Sequence, residues 1–213
     1  MFIELVDALR CPRTHEESWL VASATRMEAR HIVRGTLGCP VCLTEYPIEA
    51  GVVDFRMQRV AVATPTDPAP APADGAMRTA AMLALADATG FAVLLGEWGA
   101  IAEELATLVE TPLILVDPPV AFTGAPGISV LRCDGEIPLA TGAARAIAID
   151  AGGAARAASA VRVTRARGRV LAPVALPVPE GVRELARDAH LWVGEREAIA
   201  SPIVTLHVRR AQT

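Results

Sequence analysis

Cys39-Pro-Val-Cys42, followed closely by Tyr46-Pro-Ile-Glu-Ala-Gly51, decides how the first part of this chain folds. Two thiolates separated by two residues can hold one metal ion from a tight turn, the knuckle of a small metal-stapled domain. A closed structural site needs four ligands, and so a second knuckle. The earlier candidate is Cys11-Pro-Arg-Thr14-His15, where Thr14 stands in the place of a second Cys. The frame of the motif is intact and its chemistry is altered.

Working outward, 52% of the 213 residues are hydrophobic, enough for a packed core. The longest apolar stretches, such as 91–95 and 113–116, are strand-sized, and none approaches the roughly 18 residues of a membrane-spanning helix. The opening Met1-Phe-Ile-Glu-Leu-Val-Asp7 has neither a basic region nor a long apolar run, so no secretory leader is expected and a cytoplasmic location is. The formal charge of -4 argues against nucleic-acid binding through bulk charge. All twenty basic residues are Arg. With abundant Ala, Gly, Pro and Val, this points to coding bias rather than selection for phosphate recognition. The four Cys read as metal ligands or buried thiols rather than disulfides. Cys133, alone in a predicted strand, reads as a small buried hydrophobe.

Thr64-Pro-Thr-Asp-Pro-Ala-Pro-Ala-Pro-Ala-Asp74 cannot hold a helix, because Pro lacks the N–H and restricts the residue before it. The composition therefore predicts a domain over 1–57, a Pro/Ala-rich linker over 58–76 and a second domain over 77–213. In the first, 4–10 is short and helical with Leu5, Val6 and Leu9 on one face, and 19–22 and 31–35 are strands. In the second, Asp74 caps a helix over 74–88 closed by Gly90. Strands follow at 91–95, 113–116, 128–133, 146–149 and 169–172. Helices are expected at 100–109, from 150 to 165, and at 182–189, with a closing antiparallel pair at 191–194 and 203–208. Short apolar strands alternating with helices imply an α/β class: a doubly wound, mostly parallel Rossmann-like sheet behind a small ribbon. Ligands of such sheets sit at the carboxyl ends of the strands, near the switch point.

Residues 2–55 resemble a small zinc-ribbon family that includes the activator subunit of tRNA and protein methyltransferases. The resemblance rests on the Leu-Val-Asp-x-Leu-x-Cys-Pro opening at Leu5 to Pro12, on Cys39-Pro-Val-Cys42, and on Tyr46-Pro-Ile-x-x-Gly-Val-Val-Asp54. The family implies zinc on four Cys, and its eukaryotic members clamp onto a methyltransferase domain. Cys11, Cys39 and Cys42 match. His15 is the substitute fourth ligand, since Cys-x-x-x-His spacing can reach one metal. His31, inside a predicted strand, is a weaker substitute. The competing reading is a ribbon that has lost its metal, with His15 a surface residue.

Residues 77–209 look like a class I S-adenosylmethionine-dependent methyltransferase. Val93-Leu-Leu-Gly96-Glu-Trp-Gly99 sits where that family has its Gly-rich loop. Asp117, ending Leu113-Ile-Leu-Val-Asp117, sits where an acid holds the cofactor ribose. Asp134, in Cys133-Asp-Gly-Glu136-Ile-Pro138, sits where an Asp contacts the adenine. Arg162-Val-x4-Gly168-Arg-Val-Leu171 resembles the approach to the fifth strand. The resemblance thus implies cofactor contacts at Gly96, Gly99, Asp117 and Asp134. Against it, Glu97 and Trp98 crowd a loop that needs small residues for close backbone approach. Pro118-Pro119 stiffens the ribose side, and no general base follows the fourth strand. Each residue also has a plain alternative: Glu97 and Trp98 as a packing pair, Asp117 as a turn residue, Asp134 and Glu136 as solvated acids.

Three functions remain. The first is a non-catalytic accessory or scaffold subunit of a larger assembly, docked on a protein partner or on the cytoplasmic side of a membrane complex. The second is a methyltransferase with its activator-like ribbon in cis, and the third is a small-ligand binding module. The doubly altered motifs favour the first, with zinc rather than S-adenosylmethionine as its cofactor. Trp19 and Trp192 are candidate interface anchors, although Trp is more often core.

Overall fold

A computed structural model of the chain describes residues 1–57, 75–86, 89–119, 122 and 124–198. A 3-10 turn, Ile3–Ala8, leads into β1 (Val21–Glu28), β2 (His31–Gly38), β3 (Glu45–Glu49) and β4 (Val52–Asp54). Then come α1 (Gly75–Met82), β5 (Ala92–Leu95), a 3-10 turn (Gly96–Ile101), α2 (Ala102–Leu108), β6 (Leu113–Val116), β7 (Ile128–Arg132) and β8 (Ala144–Ala148). A third 3-10 turn (Ala151–Arg156), α3 (Ala157–Val163), β9 (Thr164–Pro173), β10 (Val182–Arg187) and β11 (Leu191–Arg196) complete the described elements.

All eleven strands belong to one sheet, in the order β1-β2-β3-β4-β7-β6-β5-β8-β9-β11-β10. The middle six, β4 through β9 in that row, run parallel. Counted from β5, the core order is 3-2-1-4-5, the doubly wound arrangement, and its switch point lies between β5 and β8. The strands there are short apolar runs because both faces are covered: every residue of β5, β6, β7 and β8 is buried.

One face is covered by α1, the 3-10 turn at Gly96–Ile101 and α2, through Ala76, Ile101 and Leu105 against Leu94, Leu115 and Val130. On the other face α3 covers the β8–β9 side, with Ala160 and Val163. Among the described residues no helix lies between β6 and β7 or between β7 and β8. The beginning of the chain covers that area instead. Met1, Phe2, Leu5 and Leu9 are buried in the same cluster as Val93, Val116 and Leu131. Backbone bonds fix the segment there: Phe2 N–H donates to Ser129 Oγ (3.0 Å). Arg10 N–H donates to Pro138 O (2.9 Å) and Ala140 N–H to Ala8 O (2.8 Å).

The ribbon joins the body through β4, which pairs in parallel with β7: Val52 with Val130, Val53 with Leu131, Asp54 with Arg132. The segment expected as a linker, 58–76, is described only from Gly75, and there α1 has already begun. Residues 58–74, with Asp74 and its expected cap, lie outside the described residues.

The expected helix at 182–189 is a strand. Val182, Leu185 and Ala186 mimic a helical stripe, but β11 offers an open row of backbone groups, and β10 pairs with it antiparallel from Val182–Arg196 to Arg187–Trp192. Ladder bonds outweigh a propensity difference of a few tenths of a kcal/mol per residue. The closing antiparallel pair is therefore β10 with β11, and 203–208 lies outside the described residues. The helix expected to run to 88 stops at Met82, and Ala84 takes φ +53° just beyond it. The two candidate interface Trp part company. Trp192 is fully buried, its Nε1–H donating to Leu176 O at 2.8 Å, whereas Trp19 is 65% exposed. No helix among the described residues is long and apolar enough to cross a membrane.

Two substitutions test the covered face. Leu5→Ala should cost about 2–5 kcal/mol, as for other buried Leu. Ser129→Ala should cost about 1–3 kcal/mol by leaving the buried Phe2 N–H without an acceptor. Both should lower the midpoint of the same urea transition. A second transition that neither change moves would mean that the sheet folds without its N-terminal cover.

Candidate functional site

Cys11 leaves the segment bound to the sheet face, its N–H donating to Ser18 O (3.1 Å), and His15 follows one turn of chain later. Cys39 and Cys42 come from the tight turn between β2 and β3. There Leu43 N–H donates to Cys39 O (2.9 Å) and Leu43 takes φ +58°. The ligand atoms of Cys11, His15, Cys39 and Cys42 all lie within 4.8 Å of one another. Cys11 Sγ is 3.7 Å from Cys42 Sγ, and His15 Nε2 is 3.2 Å from Cys11 Sγ and 3.5 Å from Cys39 Sγ. A tetrahedral zinc with Zn–S of about 2.3 Å and Zn–N of about 2.0 Å sets sulfur–sulfur edges of roughly 3.8 Å and sulfur–nitrogen edges of roughly 3.5 Å. The donor set fits one zinc ion on three thiolates and one imidazole. Thr14 is exposed, and His31 lies outside the cluster, edge-on to Phe2.

The surroundings suit ligation. His15 Nδ1 lies 2.6 Å from Glu16 O. Donating its proton there would leave Nε2 bare toward the sulfurs, the usual orienting contact of a metal-bound His. That same carbonyl contact, with the nearby thiols, raises the His15 pKa. The Cys42 thiol is brought down to about 6 by hydrogen bonding to the Thr44 side chain and backbone. Burial pushes Cys39 up, but the backbone N–H groups of Cys42 and Val41 outweigh it and the net shift is downward. Cys11 is pushed up by burial.

The second region is the crevice at the carboxyl ends of the parallel strands. Trp98, in the turn after β5, is buried there, and its Nε1–H donates across the switch point to Ile149 O, just past β8, at 3.0 Å. The glycines serve this internal closure. Gly96 has φ +51°, and a Cβ on it would lie 2.0 Å from Asp150 Oδ2. A Cβ on Gly99 would lie 2.6 Å from Pro118 Cβ. The loop stays small because the protein approaches itself, and Glu97 points outward, exposed.

Asp117, after β6, pairs with Arg156, after β8, at 2.7 Å. Since β5 lies between β6 and β8, this ion pair spans the end of β5. Asp117 Oδ1 also accepts from Cys133 N–H (3.2 Å), and Arg156 Nη2 donates to Cys133 O (2.8 Å). Asp134 Oδ2 accepts from Met57 N–H (3.0 Å), at the end of the ribbon. Glu136 makes a 3.5 Å ion pair with Arg162. Cys133 is buried, and that burial raises its thiol to about 12.

The four expected metal ligands are brought together. The four expected cofactor residues, Gly96, Gly99, Asp117 and Asp134, are each engaged with other parts of the chain. Arg156 escaped sequence reasoning, and Asp150 entered it only as an acid that offers no obvious general base after the fourth strand. Arg156 sits in an Ala-rich stretch, and its target is 39 positions away in sequence, so no local pattern points to it. Tyr46 was noticed only as part of a motif.

No protein-family model matches the chain, and no curated protein does. Among solved structures it is similar to the antibiotic-resistance methyltransferase Kmr, at 14% identity and TM-score 0.39, over 56% of this chain and 91% of that one. It is also similar to the T. thermophilus 16S rRNA N2 G1207 methyltransferase (RsmC) in complex with AdoMet and guanosine, at 15% identity and TM-score 0.31, over 59% of this chain and 40% of that one.

Gly96→Ala should destabilise the protein by at least about 1 kcal/mol from the left-handed backbone alone, and further through the Asp150 contact. In an Asp150→Ala background the same change should cost less. Thermal denaturation of the two single variants and the double variant measures the coupling, and simple additivity would separate Gly96 from Asp150.

Proposed function

We propose that this chain is a non-catalytic accessory or scaffold subunit of the cytoplasm, built on a methyltransferase-like sheet and stapled by a zinc ribbon. The observation that carries this reading is the double closure of the strand-end crevice. Trp98 bonds across the switch point to Ile149 O, and Arg156 is paired with Asp117 over the end of β5. The acid that would hold a ribose and the glycines that would admit a cofactor are spent on internal contacts. A methyltransferase or a small-ligand module working through this crevice would have to break both closures first.

Zinc in this reading is held by Cys11, His15, Cys39 and Cys42, and it supplies structure, since four protein ligands leave no open position for a substrate. The partner's contact surface falls on the ribbon tip, where Trp19, Val21, Val41 and Leu43 are 65%, 64%, 57% and 81% exposed. Glu16 and Glu45 are exposed near it, while Glu17 is paired with Arg10, whose guanidinium lies over the Trp19 ring. The complementary surface is a protein face with an apolar centre.

Millimolar S-adenosylmethionine or S-adenosylhomocysteine should leave the thermal midpoint of the zinc-loaded protein unchanged. A dose-dependent rise would show cofactor binding and overturn the non-catalytic reading. Metal analysis at neutral pH should find one zinc per chain, and His15→Ala should lose most of it. Protein that carries no zinc would end the metal half of the proposal and leave the crevice half standing.

A further inference from the structure

Tyr46 carries the sequence's most specific motif, and its phenol has a place in the fold that packing alone does not explain. Its ring is buried, 4.8 Å from the Phe55 ring, and its hydroxyl lies 3.1 Å from Cys11 Sγ. Phe would fill the same space without placing a proton donor at a sulfur. From this geometry we propose that Tyr46 is a positioning residue of the metal centre: its O–H donates to the Cys11 thiolate and fixes that sulfur's orientation and electron density. The proposal rests on the zinc reading above.

The direction of the bond follows from the chemistry of the ligand. A thiol can either donate or accept. A metal-bound thiolate has no proton and only accepts. Loading the centre therefore forces Tyr46 O–H to be the donor. Hydrogen bonding to a ligand sulfur draws charge away from it, restrains its rotation and makes it a poorer nucleophile. Cys42 Sγ has an equivalent neighbour in Thr44 Oγ1 at 3.2 Å, and His15 has Glu16 O. With Tyr46 counted, all four ligands have a polar partner outside the metal's own shell, Cys39 through the backbone N–H groups of Val41 and Cys42. That is the arrangement by which proteins tune a bound metal.

The phenol also links the centre to the seam between ribbon and body. Tyr46 lies on β3, opposite Leu37. Its stacking partner Phe55 donates its own N–H to Arg132 O of β7 at 2.8 Å. Cys11 thus belongs to the segment that covers the sheet face, and the residue that orients it belongs to the strand pair that extends the sheet.

Tyr46→Phe keeps the ring and removes only the donor, so the variant should fold with an unchanged far-ultraviolet spectrum. Zinc competition against a chromophoric chelator should show affinity reduced about 10-fold, the low end for loss of such a contact. In the cobalt-substituted protein the sulfur-to-metal charge-transfer band should move to lower energy, and alkylation of the zinc-bound thiolates by iodoacetamide should be faster. Phe55→Leu serves as the packing control: it should lower the thermal midpoint and leave the cobalt band in place. If Tyr46→Phe leaves affinity, band and alkylation rate as in the wild type, Tyr46 is a packing residue and the proposal fails alone. If the wild type takes up neither zinc nor cobalt, the metal reading fails and takes this proposal with it. A cobalt band that moves equally in Phe55→Leu would also overturn it, since the shift would then report packing.

Discussion

The apolar face of β5, β6 and β7 opposite α1 and α2 has to be removed from water, and this requirement shapes the rest of the molecule. Doubly wound sheets meet it with crossover helices. Here the connections between β6 and β7 and between β7 and β8 have no described helix, and Met1, Phe2, Leu5 and Leu9 take their place. Fully burying each large apolar side chain contributes about 1.5–3 kcal/mol. The buried backbone of the segment finds its partners in Ser129, Pro138 and Ala140. Once the start of the chain lies on the body, the ribbon must sit at the β7 edge, and β4 pairs with that edge in parallel.

The metal cluster follows from the same placement. Cys11 comes one residue after Arg10, whose N–H is held by Pro138 O, so its position is set by the body. Cys39 and Cys42 come from the β2–β3 turn, so theirs is set by the ribbon. An ion bound between them would cross-link the two halves of the seam, adding to a ribbon core too small to be comfortably stable by itself. The Cys-x-x-x-His spacing works because His15 reaches back over the sulfur of Cys11, and a residue at Thr14 points into solvent.

At the strand ends the fold keeps the geometry of a ligand crevice and fills it with protein. A glycine after the first parallel strand means that something approaches the backbone closely. In this chain the approaching groups are Asp150 and Pro118. An acid at the end of β6 means that a donor is nearby, and the donor is the Arg156 guanidinium. Fold by itself does not fix function here, because the same residue types satisfy the same physical demands whether their partner is a ligand or the chain itself.

The sequence alone determined the core strands, the alternation that makes the central sheet parallel, and the four ligand candidates. These rest on local signals: runs of apolar residues sized for strands, and thiols at fixed short spacing. It misplaced β10, because Val182, Leu185 and Ala186 fit a helical stripe as well as an edge strand, and only the open row of backbone groups on β11 separates the two. It could not divide Trp19 from Trp192, since burial depends on which neighbours arrive from distant parts of the chain. Only the tertiary structure decided that the N-terminal segment lies on the body's sheet, that Tyr46 faces Cys11, and that Arg156 reaches Asp117. Each of these contacts joins residues tens of positions apart, and no periodicity in the sequence encodes a partner at such a distance.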